Sequence, residues 1–405
     1  LFSALTYQGG KDWRKTLLEF FSNDQDTVNL IQSFNDQELN DLMTNLAGHD
    51  MESLEIGFSK YLNSDKPTCF ICYTVKGFGL PLAGHKDNHS GIMNNDQFDE
   101  YTKLMKISKG QEWNKTEGIK INDNELNSIV ASNPLSKCNR EFSETVPIEK
   151  IQITTFNQFI STQEAFGKIM NEIGKVKNSF TKRIITTSPD VTVSTNLGGW
   201  VNKKNIFSTY KKTDVFGEKK VFSSQKWKYV PSGQHIELGI AENNLFLLLA
   251  SLGISDKLFG KRILPVGTIY DTFIGRGLDA LNYATYVDAR FILVGTPSGV
   301  TLSHEGGAHQ SILTPNIGIS QPNLAYYEPS YADELEFLFF WGLEFMQKEE
   351  GSSIYFRLST KKLKQPERKL SQKDKQDIIK GCYWLQKPET SKPIILICTG
   401  VMIGE

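Results

Sequence analysis

Between residues 156 and 365 the sequence predicts an α/β fold, with a parallel sheet covered by helices on both faces. Three observations predict it. Short apolar runs alternate with helix-length segments, the order that a parallel sheet requires. Ala241–Leu252 is almost wholly apolar, as expected of a buried helix. Ser161-x-x-Glu164 is a capping box placed ahead of a helical stretch.

Taken in order, Asp50–Leu62 reads as a helix with Asp50 as N-cap and Glu52 in its first turn. Thr68–Val75, after Pro67, reads as a strand, and Lys76–Gly91 as a Gly-rich loop. Residues 107–150 are polar and weakly periodic, the pattern of a connector. The capping box opens a helix through Ile173, with Gly174 as its stop. Strands are expected at Arg183–Ser188, Ile263–Val266, Phe291–Gly295 and Ile354–Leu358. Helices are expected near Asp271–Tyr286 and from Ser330-x-x-Asp333 to Gln347. Beyond residue 370 come one helix and a strand, Ile394–Thr399, ending at the turn residue Gly400.

Bulk properties narrow the function classes. Lys plus Arg number 45 and Asp plus Glu 46, a net charge of -1. That balance gives no electrostatic reason to expect nucleic acid or an anionic membrane as partner. No apolar run has the length of a membrane span; Leu245–Leu252 is far too short. Five scattered cysteines argue against a disulfide framework and fit a reducing compartment. Cys69 and Cys72 form a C-x-x-C, but on a strand residues three apart point to opposite faces.

The six histidines all lie in Gly-containing segments. His49 follows Ala47-Gly48, His85 and His89 bracket Gly84-His85-Lys86-Asp87-Asn88-His89, and His235 follows Gly233-Gln234. His304 and His309 flank Glu305-Gly306-Gly307-Ala308. Such loops let backbone approach a ligand closely. A His-based metal site lacks the regular ligand spacing. There is no G-x-S-x-G nucleophile elbow. Gly77-Phe78-Gly79 lacks the third glycine of a dinucleotide fingerprint.

Four segments in order carry a resemblance. Tyr73-Thr74-Val75-Lys76-Gly77-Phe78-Gly79 with Ala83-Gly84-His85-Lys86-Asp87-Asn88-His89 resembles the diphosphate-side loop of transketolase-like thiamine-diphosphate enzymes. Gly239-Ile240-Ala241-Glu242 resembles their pyrimidine-side glutamate motif. Leu264-Pro265-Val266-Gly267, through Tyr270 and Phe273, resembles the aromatic segment after it. Glu305-Gly306-Gly307-Ala308-His309-Gln310 resembles the acidic-Gly-x-x-His-Gln loop. Within that family the sequence most resembles the homodimeric-type pyruvate dehydrogenases. Thr187-Ser188-Pro189-Asp190 through Ser194-Thr195-Asn196 adds to the likeness.

The resemblance implies a thiamine-diphosphate-binding fold followed by the start of a transketolase C-terminal-like domain. Residues 1–140 would be the C-terminal part of a diphosphate-binding domain and 141–155 a linker. Residues 156–365 would be the pyrimidine-binding domain, and 370–405 the start of the C-terminal domain. It implies a homodimer that decarboxylates pyruvate or a similar short 2-oxo acid such as 2-oxobutyrate. The acyl group would pass to a lipoyl group of an acyltransferase partner, in the cytoplasm of a bacterial-type system. Transketolase-type ketol transfer, or a noncatalytic assembly module, are the competing readings. Transketolase chemistry needs cations for a sugar phosphate; Arg276 and Arg357 are unplaced by sequence.

The residue roles implied are as follows. Glu242 would sit beside the pyrimidine of thiamine diphosphate, and apolar Ile240, Leu245 and Phe246 around it would favour a retained proton. Its alternative reading is a helix-start carboxylate favoured by the dipole. Tyr270 and Phe273, one turn apart, would pack on the ring; plain core packing is the alternative. His89 and His309 would be substrate-side proton shuttles, with His85 and His304 as second choices. Asp190 and Ser194 would approach cofactor or substrate. The family's Gly-Asp-Gly motif, which holds the diphosphate and Mg2+, is not found here. Its ligands are expected upstream of residue 1, and both ends read as cut.

Overall fold

The computed structural model describes residues 1–405 except 134, 135, 137–144, 152, 154, 211, 214, 302–304, 391 and 393. It forms two compact units, residues 1–133 and 134–405.

The first unit is helical: Phe2–Gln8 (α1), Gly10–Phe20 (α2), Gln25–Ser33 (α3), Asp36–Thr44 (α4), Met51–Tyr61 (α5), Asn95–Leu104 (α6) and Asp123–Ser132 (α7). Its small core is Leu5, Trp13, Ile31 and Leu39 from α1 to α4. Arg14 fastens that corner, donating to Asp36 at 2.8 Å and to the carbonyls of Ile31 and Phe34 at 2.8 and 2.7 Å. Asp50 caps α5 as expected, accepting from the Glu52 amide. Two expectations fail here. Among the described residues Thr68–Val75 makes no ladder and pairs through an isolated bridge between Ala47 and Tyr73, and Thr68–Thr74 is exposed. A β-branched run needs a neighbouring strand, and the described residues supply none there. The opposite-face reading of Cys69 and Cys72 therefore has no strand to rest on; both thiols are free and exposed. The connector at 107–150 contains α7, which opens on a capping box between Asn122 and Glu125.

In the second unit, Phe159–Ile160 (β1) pairs antiparallel with Leu363–Lys364 (β10). The remaining described strands are Ile184–Ser188 (β2), Ile206–Phe207 (β3), Tyr229–Val230 (β4), His235–Glu237 (β5), Leu264–Ile269 (β6), Ile292–Gly295 (β7), Leu324–Tyr327 (β8) and Ser353–Arg357 (β9). They form a parallel sheet in the order β4-β3-β5-β2-β6-β7-β9-β8. The predicted α/β class is what the chain adopts.

Helices Thr162–Lys175 (α8), Gly198–Lys204 (α9), Val215–Glu218 (α10), Glu242–Gly253 (α11), Ser255–Phe259 (α12), Leu278–Tyr286 (α13), Thr314–Ser320 (α14), Ala332–Phe345 (α15) and Gln372–Ile379 (α16) accompany the sheet. Alternation along the strands divides the core in two. Ile292, Val294, Ile354 and Phe356 join α8, α9 and α15 through Phe166, Trp200 and Phe339. Leu293 and Tyr355 join α11 and α13 through Leu245, Phe246 and Leu281. These side chains are fully buried, and each contributes about 1.5–3 kcal/mol of hydrophobic stabilisation.

The capping box at Ser161 and Glu164 is present. α8 runs past Gly174, because that glycine lies against Trp200 and Lys203 of α9 rather than at a turn. α15 is opened by Tyr331 with Glu334, while Ser330 donates to the Gly400 carbonyl at 2.8 Å. The first half of the 271–286 segment is a 3-10 helix, Asp271–Gly277. Among the described residues Ile394–Thr399 has no strand partner; Ile394, Leu396 and Ile397 are about nine-tenths exposed. Among the described residues no helix is long and apolar enough to cross a membrane.

Candidate functional site

Parallel strands all deliver their C-terminal ends to one edge, and ligands of such sheets bind where the strand order reverses. Here the chain leaves β2 toward β3, β4 and β5 on one side, then crosses to β6 on the other. Asp190 follows β2, Glu242 follows β5, and Tyr270 follows β6 directly. The candidate site lies at this edge.

Glu242 opens α11 and is 7% exposed. Leu245 and Phe246 beside it are fully buried, but Ile240 is 78% exposed and does not shield it. Instead Arg276 Nη1 donates to Glu242 Oε1 at 2.7 Å. A carboxylate taken out of water needs such a partner. The guanidinium carbon of Arg276 lies 3.8 Å from the centre of the Phe273 ring. Tyr270 and Phe273 are stacked with centroids 6.0 Å apart. The His309 ring packs on both, at 5.7 and 5.6 Å. Glu242, Tyr270, Phe273 and His309 are thus one cluster, with Arg276 as the member that sequence left unplaced. Arg276 is three residues beyond Phe273 and lies against its ring, but no local spacing ties it to Glu242, 34 residues away.

Two features hold the cluster in shape. Gly277 lets the 3-10 segment press on α11: a Cβ there would meet Phe246 Cδ2 at 2.3 Å. Asp271, fully buried, accepts from Ser311, from Thr314 at 2.5 Å, from Tyr355, and from Arg357 Nε at 3.1 Å. This ties the aromatic segment to the chain two residues past His309. Arg357 also donates to Glu328 at 2.7 Å, so it is held inside by two carboxylates.

Asp190 and Ser194 are exposed, outside the contacts of that cluster. Asp190 has φ 60, and its amide donates to Glu237 Oε1 at 2.7 Å. Ser194 donates to Val191 O at 3.2 Å. Behind them His235 is fully buried between Thr186 and Thr192, at 2.9 Å from each, and Thr192 donates to Glu237 at 2.7 Å. Burial acts to raise the Glu237 carboxyl; the hydrogen bonds from His235, Thr192 and the Asp190 amide outweigh it and hold the carboxyl below its usual range.

The first unit carries its own candidate loop. His49 Nε2 accepts from the Val75 amide at 2.7 Å, and its ring stacks on Phe78 at 4.0 Å. Asn88 donates to the Lys76 carbonyl and His89 contacts the Lys76 ammonium. Gly77 is required there: φ is 72, and a Cβ would meet the Asn88 amide at 2.8 Å. His89 is exposed; His85 packs edge-on against Tyr7 and its Nδ1 accepts from the Asp87 amide at 3.1 Å. His49, a plain loop residue by sequence, is the one that buttresses this loop. His304 lies outside the described residues.

A flat heteroaromatic ring fits the second-unit cluster. The Phe273 face already carries a planar group, and the Glu242 oxygen meets that group's edge. Among the described residues no cluster of three His, Cys, Asp or Glu could hold a metal.

Comparison with known proteins places the fold and the family. The family described as pyruvate dehydrogenase E1 component, middle domain, matches residues 152–364, over half the chain. The pyruvate dehydrogenase E1 component of Pseudomonas aeruginosa is 24% identical over 98% of this chain and 46% of its own length. The transketolase of Aquifex aeolicus is 23% identical over 87% of this chain and 49% of its own. The chain spans about half the length of the curated relatives it matches. The crystal structure of Campylobacter jejuni transketolase shares the fold, with a TM-score of 0.56 and 16% identity over 79% of this chain and 46% of its own. Sheet and family match agree: the chain belongs to the pyruvate dehydrogenase E1 family of transketolase-like thiamine-diphosphate enzymes.

Proposed function

We propose that this protein works in the oxidative decarboxylation of pyruvate, or of a similar short 2-oxo acid such as 2-oxobutyrate. The acyl group passes to a lipoyl group of an acyltransferase partner. The observation that carries this reading is the cluster of Glu242, Phe273, Tyr270 and His309 at the switch point of the sheet. The working enzyme is a homodimer in the cytoplasm, with Mg2+ beside the diphosphate.

Thiamine diphosphate, when bound, supplies the electron sink for the carbanion left by CO2. Glu242 would hold the pyrimidine ring of the bound cofactor by a hydrogen bond from its carboxyl group. Phe273 and Tyr270 orient the ring by stacking. His309, in ring contact with both, moves a proton at the substrate oxygen; a placed acid or base of this kind is worth roughly 10²–10⁴ in rate. Asp190 and Ser194 line the approach. His89 and His85 are the proton-transfer candidates of the diphosphate-side loop, within the first unit.

A specific observation bears on the transketolase alternative. Arg357 is committed to Asp271 and Glu328, so it is not a spare cation for a sugar phosphate. The test is turnover of the full-length protein with thiamine diphosphate and Mg2+. Ferricyanide reduction is followed with pyruvate, 2-oxobutyrate and 2-oxoglutarate, beside ketol transfer between sugar phosphates. Cofactor-dependent reduction with pyruvate or 2-oxobutyrate is expected. Ketol transfer alone contradicts the reading, and silence in both assays returns the chain to an assembly role.

A further inference from the structure

Arg276 makes, with one flat group, the two contacts that the proposed function assigns to the cofactor's pyrimidine. Its edge meets Glu242 Oε1 at 2.7 Å. Its guanidinium carbon lies over the Phe273 ring, 3.8 Å from the centroid. A guanidinium and an aminopyrimidine are both planar, both present nitrogen along an edge, and both stack on an aromatic face. Glu242 and Phe273 cannot serve both at the same place.

We infer that Arg276 is a positioning residue of the pyrimidine pocket, one that holds Glu242 and Phe273 in register until the cofactor arrives and must swing out to admit it. The inference rests on the cofactor reading above.

Three features suit Arg276 to this part. Its side chain is 53% exposed, against 9% for Glu242, so it can leave toward water while the carboxylate stays. It is flanked by Gly275 and Gly277, and the space around Gly275 is open. The buried carboxylate gains a partner during the empty state, which avoids the cost of an unpaired charge. The exchange trades one hydrogen-bonded, stacked plane for another, so Glu242 keeps its orientation throughout. The pocket is preorganised at the expense of affinity, because the cofactor competes with a tethered cation.

The test is equilibrium binding of thiamine diphosphate at fixed Mg2+ to the full-length protein, by calorimetry, for wild type, Arg276→Ala and Arg276→Lys. A half-exposed ion pair and a cation–π contact are together worth about three- to tenfold in an equilibrium, and Arg276→Ala should bind tighter by that factor. Arg276→Lys, which can pair but not stack as a plane, should fall between. A thiazole diphosphate lacking the pyrimidine is the control, and its affinity should not rise. Equal or weaker cofactor binding by Arg276→Ala overturns the inference, as does an equal gain for the thiazole control. Absence of binding by every variant overturns the cofactor reading and the inference with it.

Discussion

Asp271 and Arg357 form a buried ion pair, with Nε 3.1 Å from Oδ2, across the C-terminal ends of β6 and β9. Burial alone would lower the Arg357 guanidinium's pKa; the carboxylates of Asp271 and Glu328 overcome it and raise the value. The Tyr355 hydroxyl, buried and bonded to Asp271, is held protonated well above its ordinary range. Removing one partner of such a pair leaves a buried charge short of its counterion. Asp271→Ala should therefore destabilise the protein by about 3–5 kcal/mol, read as a lower urea midpoint. Little change in the midpoint would show that the network can be replaced by water.

The Glu237 carboxyl has a folded pKa below its ordinary value. The stability it contributes is complete above the ordinary glutamate value of about 4.3 and disappears as pH falls through the lowered folded value. Glu237→Gln should lose stability at neutral pH and show a shallower acid dependence below about pH 4.3. Urea midpoints measured across that range check it. An unchanged acid slope would mean that Glu237 does not contribute.

His309 touches the aromatic pair but makes no ion pair with Glu242 among the described contacts. Its replacement by alanine should lower kcat by roughly 10²–10⁴ while changing cofactor affinity far less. Steady-state rates and a binding titration on the same preparation separate the two effects. Equal losses in both would count against a chemical role.

Phe273→Ala distinguishes a cofactor platform from core packing. Loss of stacking worth about 0.5–1.5 kcal/mol should weaken thiamine diphosphate binding several-fold. A lower melting temperature with unchanged binding would return Phe273 to the core.

Much of this was legible in the sequence where local signals and burial agree. Ser161 and Glu164 announce a helix by a local hydrogen-bond pair, and apolar strands such as Ile292–Gly295 can only be buried. The same signals misled where pairing is non-local. Thr68–Thr74 and Ile394–Thr399 have strand composition, but no strand lies alongside them among the described residues. At the site, motif order brought out Glu242, Tyr270, Phe273 and His309. Arg276, Asp271 and His235 stayed hidden, because their partners lie 34, 86 and 49 residues away and are set by the sheet order rather than by spacing.

The central claim is that Glu242 activates the bound cofactor, and proton exchange at C2 of thiamine diphosphate tests it most directly. The full-length protein and its Glu242→Ala variant would be loaded with cofactor, mixed with D2O, quenched in acid and read by proton NMR. The account predicts exchange slower in the variant by roughly 10²–10⁴, with an unchanged unfolding transition. Equal exchange rates in the two loaded proteins would contradict it.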